Sequence, residues 1–345
     1  MNPNTNIAVS VIVPAYNSGL TLEPTLNSLV NQTLKPIEII CVNDGSTDNT
    51  LNVLEEYRER HPGVIQIISC PNSGAFNARN IGIDAARGQY VAFCDADDLA
   101  DSHMLDKLYS TAKENEADIA ICSFCRTKNG IASAKEMDWG DTNKKINSSS
   151  GWLASINTSC WNKLIKTDLA KKHVALNSRP KITEDAIFLL SIYPYAGSIA
   201  FTSEPLYYYR EDGNTAMSSI TDTDIEAITD SWKELRTSIE RQAESFLDII
   251  DSAAFIHLGV SIPLIVAKTR PGDLKRTVKQ TKKTLDISFP KYKDGRFLSM
   301  GKAFKEPKHY LFPYIALLTY KTGIFSFALT AYNRLTKFFK LEAKW

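Results

Sequence analysis

The sequence predicts an α/β protein: a mostly parallel, Rossmann-like sheet flanked by helices, followed by a helical, basic C-terminal region. Three observations predict it. Short β-branched runs alternate with helical stretches from residue 9 to residue 97, the pattern of a doubly wound layer. Polar and acidic residues gather where those runs end. Charge is also divided along the chain: residues 268–345 hold 18 Lys/Arg and 5 Asp/Glu, a net of +13, which leaves the remainder at −12. With 345 residues, 43% of them apolar and 23% charged, the chain is globular and long enough for two domains.

The elements follow in order. "VSVIVPAYN" (9–17) is an apolar run broken by Pro14, a buried strand entering a loop. A helix is expected through "TLEPTLNSLVNQT", then a second strand, "IEIICVND" (37–44), which ends at "DGSTDNT". There Ser46 or Thr47 is placed to cap the helix "DNTLNVLEEYRERH". "VIQIIS" (64–69) is the third strand, "GAFNARNIGIDAA" (74–86) a helix with small residues on one side, and "YVAFCDAD" (90–97) the fourth strand. Residues 126–150 turn polar and predict a surface excursion. "WNKLIKTDLAKKHV" (161–174) and "ITEDAIFLLSIYPYA" (182–196) follow, the latter with Thr183 as cap and Glu184 and Asp185 in the first turn. The helix dipole favours carboxylates there by about 0.3–1 kcal/mol each. "PLYYYRED" (205–212) predicts a strand leading to a loop, and Ile225, Ile228, Trp232, Leu235 and Ile239 mark a largely helical stretch over 223–268.

Several function classes lose support. No GxGxxG follows the first strand and no GxxxxGK[ST] occurs, which removes the main signals of dinucleotide and P-loop enzymes. The six cysteines mostly lie in apolar strand-like runs. The Cys122/Cys125 pair has no second pair or His cluster, so reduced structural thiols are expected. "MNPNTNIAVS" has no basic start leading into an apolar stretch, and a cytoplasmic location is expected.

In open α/β sheets ligands bind beyond the carboxyl ends of the strands. Chain order collects Pro14, Tyr16, Asn17, Asp44 and the carboxylates Asp95, Asp97 and Asp98 there. Like charges this close destabilise one another unless a cation sits among them. A DxD on a strand-end loop offers hard oxygens from one side, which suits Mg2+ or Mn2+ with water and phosphate as further ligands. The alternative is an acidic turn with a helix cap at Asp98.

"VSVIVPAYN", "VNDGSTDNT" and "NSGAFNARNIGIDAARGQYVAFCDADD", in that order, resemble the nucleotide-binding half of the family 2 glycosyltransferases, with the GT-A fold. "WNKLIK" and "TED" fall where that family has its acceptor region and catalytic carboxylate. The resemblance is continuous over about 9–125 and sparser to about 212. It implies a nucleotide-sugar-binding half (1–125) and an acceptor and catalytic-base half (126–222), and the helical, basic C-terminal region (223–345) lies beyond the resemblance. It also implies inverting transfer from a nucleotide-sugar, a UDP-sugar in particular, to an acceptor hydroxyl of a cell-surface polysaccharide or glycolipid. Pro14, Tyr16 and Asn17 would line the base and ribose pocket, and Asp44 would accept from uracil N–H. Arg79 would sit near the nucleotide, Asp95 would hold ribose, and Asp97 would carry the metal. Asp185 would be the general base, with Glu184 at the acceptor or in the turn.

The chemistry of the residues agrees, since such a transfer needs a base beside the acceptor and a separate cation beside the departing diphosphate. Trp161 suits the core or an acceptor groove, and Arg210 could reach a phosphate. Two other classes remain open. A sugar-1-phosphate nucleotidyltransferase would carry a Gly-rich, Arg/Lys-bearing loop, which "PAYNSG" is not. A non-catalytic sugar-nucleotide-binding module would keep Asp44 and Asp97 and could dispense with Asp185.

The tail "LFPYIALLTYKTGIFSFALTAYNRLTKFFKLEAKW" (311–345) is apolar and aromatic, interrupted by Lys321, and follows the basic "KRTVKQTKKTL" (275–285). Phe325, Phe327, Phe338, Phe339 and Trp345, with Arg334, Lys337, Lys340 and Lys344, predict an interfacial anchor on an anionic membrane surface at the inner face of the cell membrane. A helical cap is the alternative, and no nucleic-acid module is visible.

Overall fold

A computed structural model describes residues 7–128, 131–136, 145–147, 150–154, 156–172, 180, 182–211, 220–294, 297–305 and 307–338. Of the expected anchor residues, Phe339, Lys340, Lys344 and Trp345 lie outside the described residues, as do the side chains of Lys337 and Phe338. The chain divides into two compact units. The first comprises Met1–Ser148, Thr158–His173 and Tyr195–Gly213, and the second Ser149–Asn157, Val174–Pro194 and Asn214–Trp345.

The first unit is built on one sheet: β1 (Val9–Ala15), β2 (Ile37–Asp44), β3 (Ile65–Cys70), β4 (Tyr90–Phe93), β5 (Leu99–Ala100), β6 (Ile119–Lys128), β7 (Ile131–Glu136), β8 (Lys145–Ile146), β9 (Lys163–Lys166) and β10 (Ile199–Arg210). The order is β3-β2-β1-β4-β9-β6-β10-β5, with β7 on β6 and β8 on β10. Ladders are parallel across β3-β2-β1-β4, as the alternating pattern predicts, and again between β6 and β10. Between these, β9 runs antiparallel to both β4 and β6, so the far half of the sheet is mixed.

All of β2 is buried, because helices cover the sheet faces. These are α1 (Leu22–Val30), α2 (Thr50–Arg60), α3 (Ala75–Ala85), α4 (Met104–Glu114) and the short α5 (Thr167–Ala170). Helix α3 lies directly on β1, since a Cβ at Gly82 would overlap the Ile12 side chain. Glu38 within β2 is also buried, and that is tolerable only with partners. It accepts from the Ser10 hydroxyl (2.6 Å), the Arg87 backbone N–H (2.8 Å) and the Arg87 guanidinium (2.9 and 2.6 Å).

The expected cap of α2 is corrected. The helix begins at Thr50, so Ser46 and Thr47 lie in the preceding turn, and Asp48 Oδ1 accepts the Thr50 N–H at 3.0 Å instead.

The second unit is helical: α6 (Glu184–Ile192), α7 (Asp222–Gln242), α8 (Leu247–Ala254), α9 (Ile262–Thr269), α10 (Leu274–Ser288), α11 (Met300–Lys305), α12 (Pro307–Lys321) and α13 (Phe325–Phe338). A π-helical stretch, Phe255–Ser261, joins α8 to α9. Among the described residues one helical run, Glu244–Thr269, is long and apolar enough to cross a membrane, but most of it is buried and forms core. Helix α12 is apolar on two faces. Tyr310, Ala316, Leu317 and Tyr320 are buried, while Leu311, Ile315 and Leu318, spaced four and three residues apart, are exposed.

Candidate functional site

The loops after β1 and β2 are stitched to each other. Asn17 has φ 48, a left-handed conformation that Asn tolerates better than most residues. Its N–H donates to Ser46 Oγ (3.0 Å) and its Oδ1 accepts the Thr47 N–H (2.8 Å). Ser18 N–H donates to Thr50 Oγ1 at 2.8 Å, and Gly19 N–H to Asp48 Oδ2 at 3.0 Å. Tyr16, 51% exposed, is thus displayed on a braced turn beside Pro14.

Asp44 is buried at the end of β2. Its Oδ1 accepts from the Ser73 N–H (2.7 Å) and hydroxyl (3.2 Å), and its Oδ2 from the Gly74 N–H (2.8 Å). Gly74, at φ 90, turns the chain into α3 in a conformation that costs a Cβ-bearing residue strain. Asp44 therefore fixes the turn and keeps acceptor capacity, since a carboxylate offers about four lone-pair sites. Ser73 and Gly74 were not singled out from the sequence, although "NSGA" just before a small-residue helix was a turn signal.

The loop after β4 carries the acidic cluster. Buried Arg79 donates from Nη2 to Asp95 Oδ1 at 2.9 Å. Asp97 is exposed and Asp98 is buried. Asp98 is no helix cap: two strand residues follow it, and α4 begins only at Met104. Its Oδ2 instead accepts the Tyr207 hydroxyl (2.8 Å) and its Oδ1 the Arg210 backbone N–H (2.7 Å). The same Tyr207 oxygen accepts the Asp95 N–H at 3.1 Å. From α1 and the residue before it, Thr21 donates to the Ala96 carbonyl (3.1 Å) and Thr25 to the Asp98 carbonyl (2.8 Å).

Burial first, then the Asp95 and Asp97 carboxylates, push Asp98 up to about 8, against the Arg210 N–H and Tyr207 hydroxyl that favour its anion. Negative charge at this strand end thus exceeds what Arg79 offsets. Asp97 stands open to solvent, but among the described residues no three His, Cys, Asp or Glu side chains gather to hold a metal ion, so phosphate and water would have to complete the shell of Mg2+ or Mn2+ there.

Trp161 is buried beneath this loop. It stacks on Tyr207 (centroids 4.4 Å, 12°) and Tyr209 (5.7 Å, 20°), with Phe124 edge-on at 4.8 Å. Trp161 is thus part of the hydrophobic core of this unit. Cys122 and Cys125 are buried thiols in β6, and burial pushes the Cys122 thiol up to about 12, as suits an inert structural cysteine.

Glu184 and Asp185 belong to the second unit, half-buried in the first turn of α6. Thr183 precedes them in the left-handed region (φ 69, ψ 3) and does not cap the helix with its side chain. Its hydroxyl is engaged elsewhere, accepting the indole N–H of Trp232 at 3.2 Å.

A family model described as glycosyl transferase family 2 matches residues 10–173. The glycosyltransferase GlyG of Streptococcus pneumoniae is 30% identical over 228 residues, covering 61% of this chain and 72% of its own. The chain belongs to the family 2 glycosyltransferases. Among its relatives in that family, the poly(ribitol-phosphate) beta-glucosyltransferase of Bacillus spizizenii is 34% identical over 211 residues, 59% of this chain but only 33% of the relative's length. This family 2 glycosyltransferase also shares the GT-A fold of Staphylococcus aureus TarS residues 1–349, with a TM-score of 0.67, 21% identity and 92% of each chain covered. That TarS fragment has also been solved with UDP-GlcNAc (TM-score 0.62, 22% identity, 88% of this chain and 93% of that one).

Proposed function

We propose that the protein transfers a sugar from a UDP-sugar, by single displacement with inversion, to an acceptor hydroxyl of a cell-surface polysaccharide or glycolipid. One observation carries the reading: a strand-end loop with three carboxylates, braced from β10 and α1, whose surplus negative charge calls for a divalent cation and a diphosphate. Pro14, Tyr16 and Asn17 would take the base and ribose, with Asp44 accepting from the base and Asp95 from the ribose. Asp97 would hold Mn2+ or Mg2+, which when bound neutralises charge growing on the departing diphosphate. Arg79 holds Asp95 in place, and the Arg210 side chain would meet a phosphate. Asp185 would take the proton of the acceptor hydroxyl as it attacks, with Glu184 beside it. The name of the Bacillus relative and the TarS complex with UDP-GlcNAc support a glycan-polymer acceptor and a UDP donor.

The exposed stripe Leu311, Ile315 and Leu318 supports a peripheral position on an anionic membrane surface, since residues 307–338 carry four Lys/Arg and no Asp or Glu. The cytoplasmic face supplies both the nucleotide-sugar and such a surface.

Incubation with UDP-sugars, Mn2+ and a glycan acceptor tests the reading. Transfer with UDP release is expected, whereas UTP and sugar-1-phosphate formed when pyrophosphate is added would indicate a nucleotidyltransferase and no product a binding module. Asp185→Asn should leave UDP affinity intact and reduce transfer roughly a hundredfold. Asp97→Ala should remove the metal-dependent part of UDP binding in calorimetry, and unchanged affinity would take Asp97 out of the metal site.

A further inference from the structure

We propose that Trp232 is a positioning residue for the transfer reaction, acting through Thr183 to set the direction in which the Asp185 carboxylate leaves the first turn of α6. The inference rests on the reading of Asp185 as general base and adds to it a device that neither composition nor motif reveals.

Thr183 is β-branched and stands at φ 69. A left-handed conformation in such a residue is strained and persists only where its surroundings enforce it. Two contacts from the same residue do so. Its carbonyl accepts the Ile187 N–H at 3.0 Å and opens α6, while its hydroxyl accepts the Trp232 indole N–H at 3.2 Å. Trp232 cannot yield, because it is completely buried in α7. Its ring also lies against the His257 ring, with centroids 5.2 Å apart. His257 sits in the π-helical stretch between α8 and α9, a feature that is rare overall and frequent at functional sites.

A strained residue, its buried clamp and a widened helical turn therefore converge on the one peptide that precedes Glu184 and Asp185. If Thr183 relaxed to negative φ, the first turn of α6 would reorient and carry the Asp185 carboxylate with it. A displacement of about 1 Å at a catalytic group costs on the order of a hundredfold in rate. An indole N–H held for packing alone would need no strained acceptor. A strained turn held for packing alone would gain nothing from standing next to the acidic pair.

Trp232→Phe removes the donor together with part of the buried indole, whereas Thr183→Val keeps the β-branched shape and removes only the acceptor hydroxyl. Each should lower kcat by about ten- to a hundredfold, with KM for the UDP-sugar and UDP affinity unchanged within about twofold. Glycine takes positive φ without strain and needs no clamp. In a Thr183→Gly background, Trp232→Phe should therefore have little further effect on kcat, a non-additivity read from the double-mutant cycle. Rates are normalised to the fraction of enzyme that binds UDP, so a partly unfolded variant still reports. The proposal is overturned if both single variants keep wild-type kcat per binding-competent molecule, or if the two effects simply add in the Thr183→Gly background. Failure of the underlying reading looks different: Asp185→Asn would then transfer sugar at the wild-type rate.

Discussion

Tyr207→Phe removes one oxygen atom from the centre of the site and leaves its ring stacked on Trp161. In the wild type that oxygen donates to Asp98 Oδ2 at 2.8 Å and accepts the Asp95 N–H at 3.1 Å, in a side chain with no exposed surface. No water takes its place readily, so both partners lose a bond. The Asp98 carboxyl, pushed up to about 8, is mostly protonated at neutral pH, so both bonds count as neutral ones of about 0.5–1.5 kcal/mol, roughly 1–3 kcal/mol together. Expressed as an equilibrium between held and released loop, that is about five- to a hundred-and-fiftyfold. Asp98 also loses a donor that favours its anion, so its pKa should climb further above the ordinary carboxylate range. Urea unfolding should show the loss of stability, and calorimetric titration of UDP with Mn2+ should show weakened affinity, since Asp95 and Asp97 ride on the released loop. The reasoning is refuted if Tyr207→Phe unfolds within about 0.5 kcal/mol of wild type and binds UDP equally well. Lost stability with unchanged affinity would leave Tyr207 a structural role and detach the loop from the nucleotide.

Two further expectations concern the second unit. Burial pushes His257 from its ordinary 6.5 down to about 4, so the unfolded chain binds a proton that the fold refuses. Its contribution to stability is therefore full above pH 6.5 and lost as pH falls through about 4. The urea midpoint should drop across that window, His257→Gln should flatten the drop, and an equal slope in both proteins would reject the assignment. Ile315→Glu on the exposed stripe of α12 and Phe327→Glu on the exposed surface of α13 should leave the fold intact and weaken binding to anionic vesicles, and high salt should release the wild type only partly. Indifference of the full chain to such vesicles would make the region a cap. Ending the chain before residue 311 is a poorer test, since Leu317, Tyr320, Phe325 and Leu329 are buried in this unit.

The parallel half of the sheet was legible because its signals are local: β-branched runs, helical spacing, and polar residues where the runs stop. The same locality placed Asp44, Asp95 and Asp97 at strand ends. What escaped depends on register between distant segments. Tyr207 pairs with Ala100 of β5 and with Phe124 of β6, and that double register brings its hydroxyl to Asp98. The sequence "YYY" offers three equivalent candidates until the register is known. Ser46, Thr47 and Thr183 were expected as caps by a rule that considers only the adjacent helix. Asn17 and Trp232, 29 and 49 residues away from Ser46 and Thr183, compete for the same hydroxyls.

The bond between Asp98 and Tyr207 spans 109 residues of chain. During synthesis, at about 5–20 residues per second, roughly 5–22 s separate the appearance of the acidic loop from that of its brace. Through that interval the strands β1–β4 are complete and can pair, while Asp98 has neither Tyr207 nor the Arg210 N–H to receive. A nascent or prematurely ended chain therefore displays the family's most recognisable motif without the means to hold it. If that loop binds nucleotide as proposed, competence to bind should arrive late, with the docking of β10, and a fragment stopping short of that strand should sequester little nucleotide-sugar from finished copies.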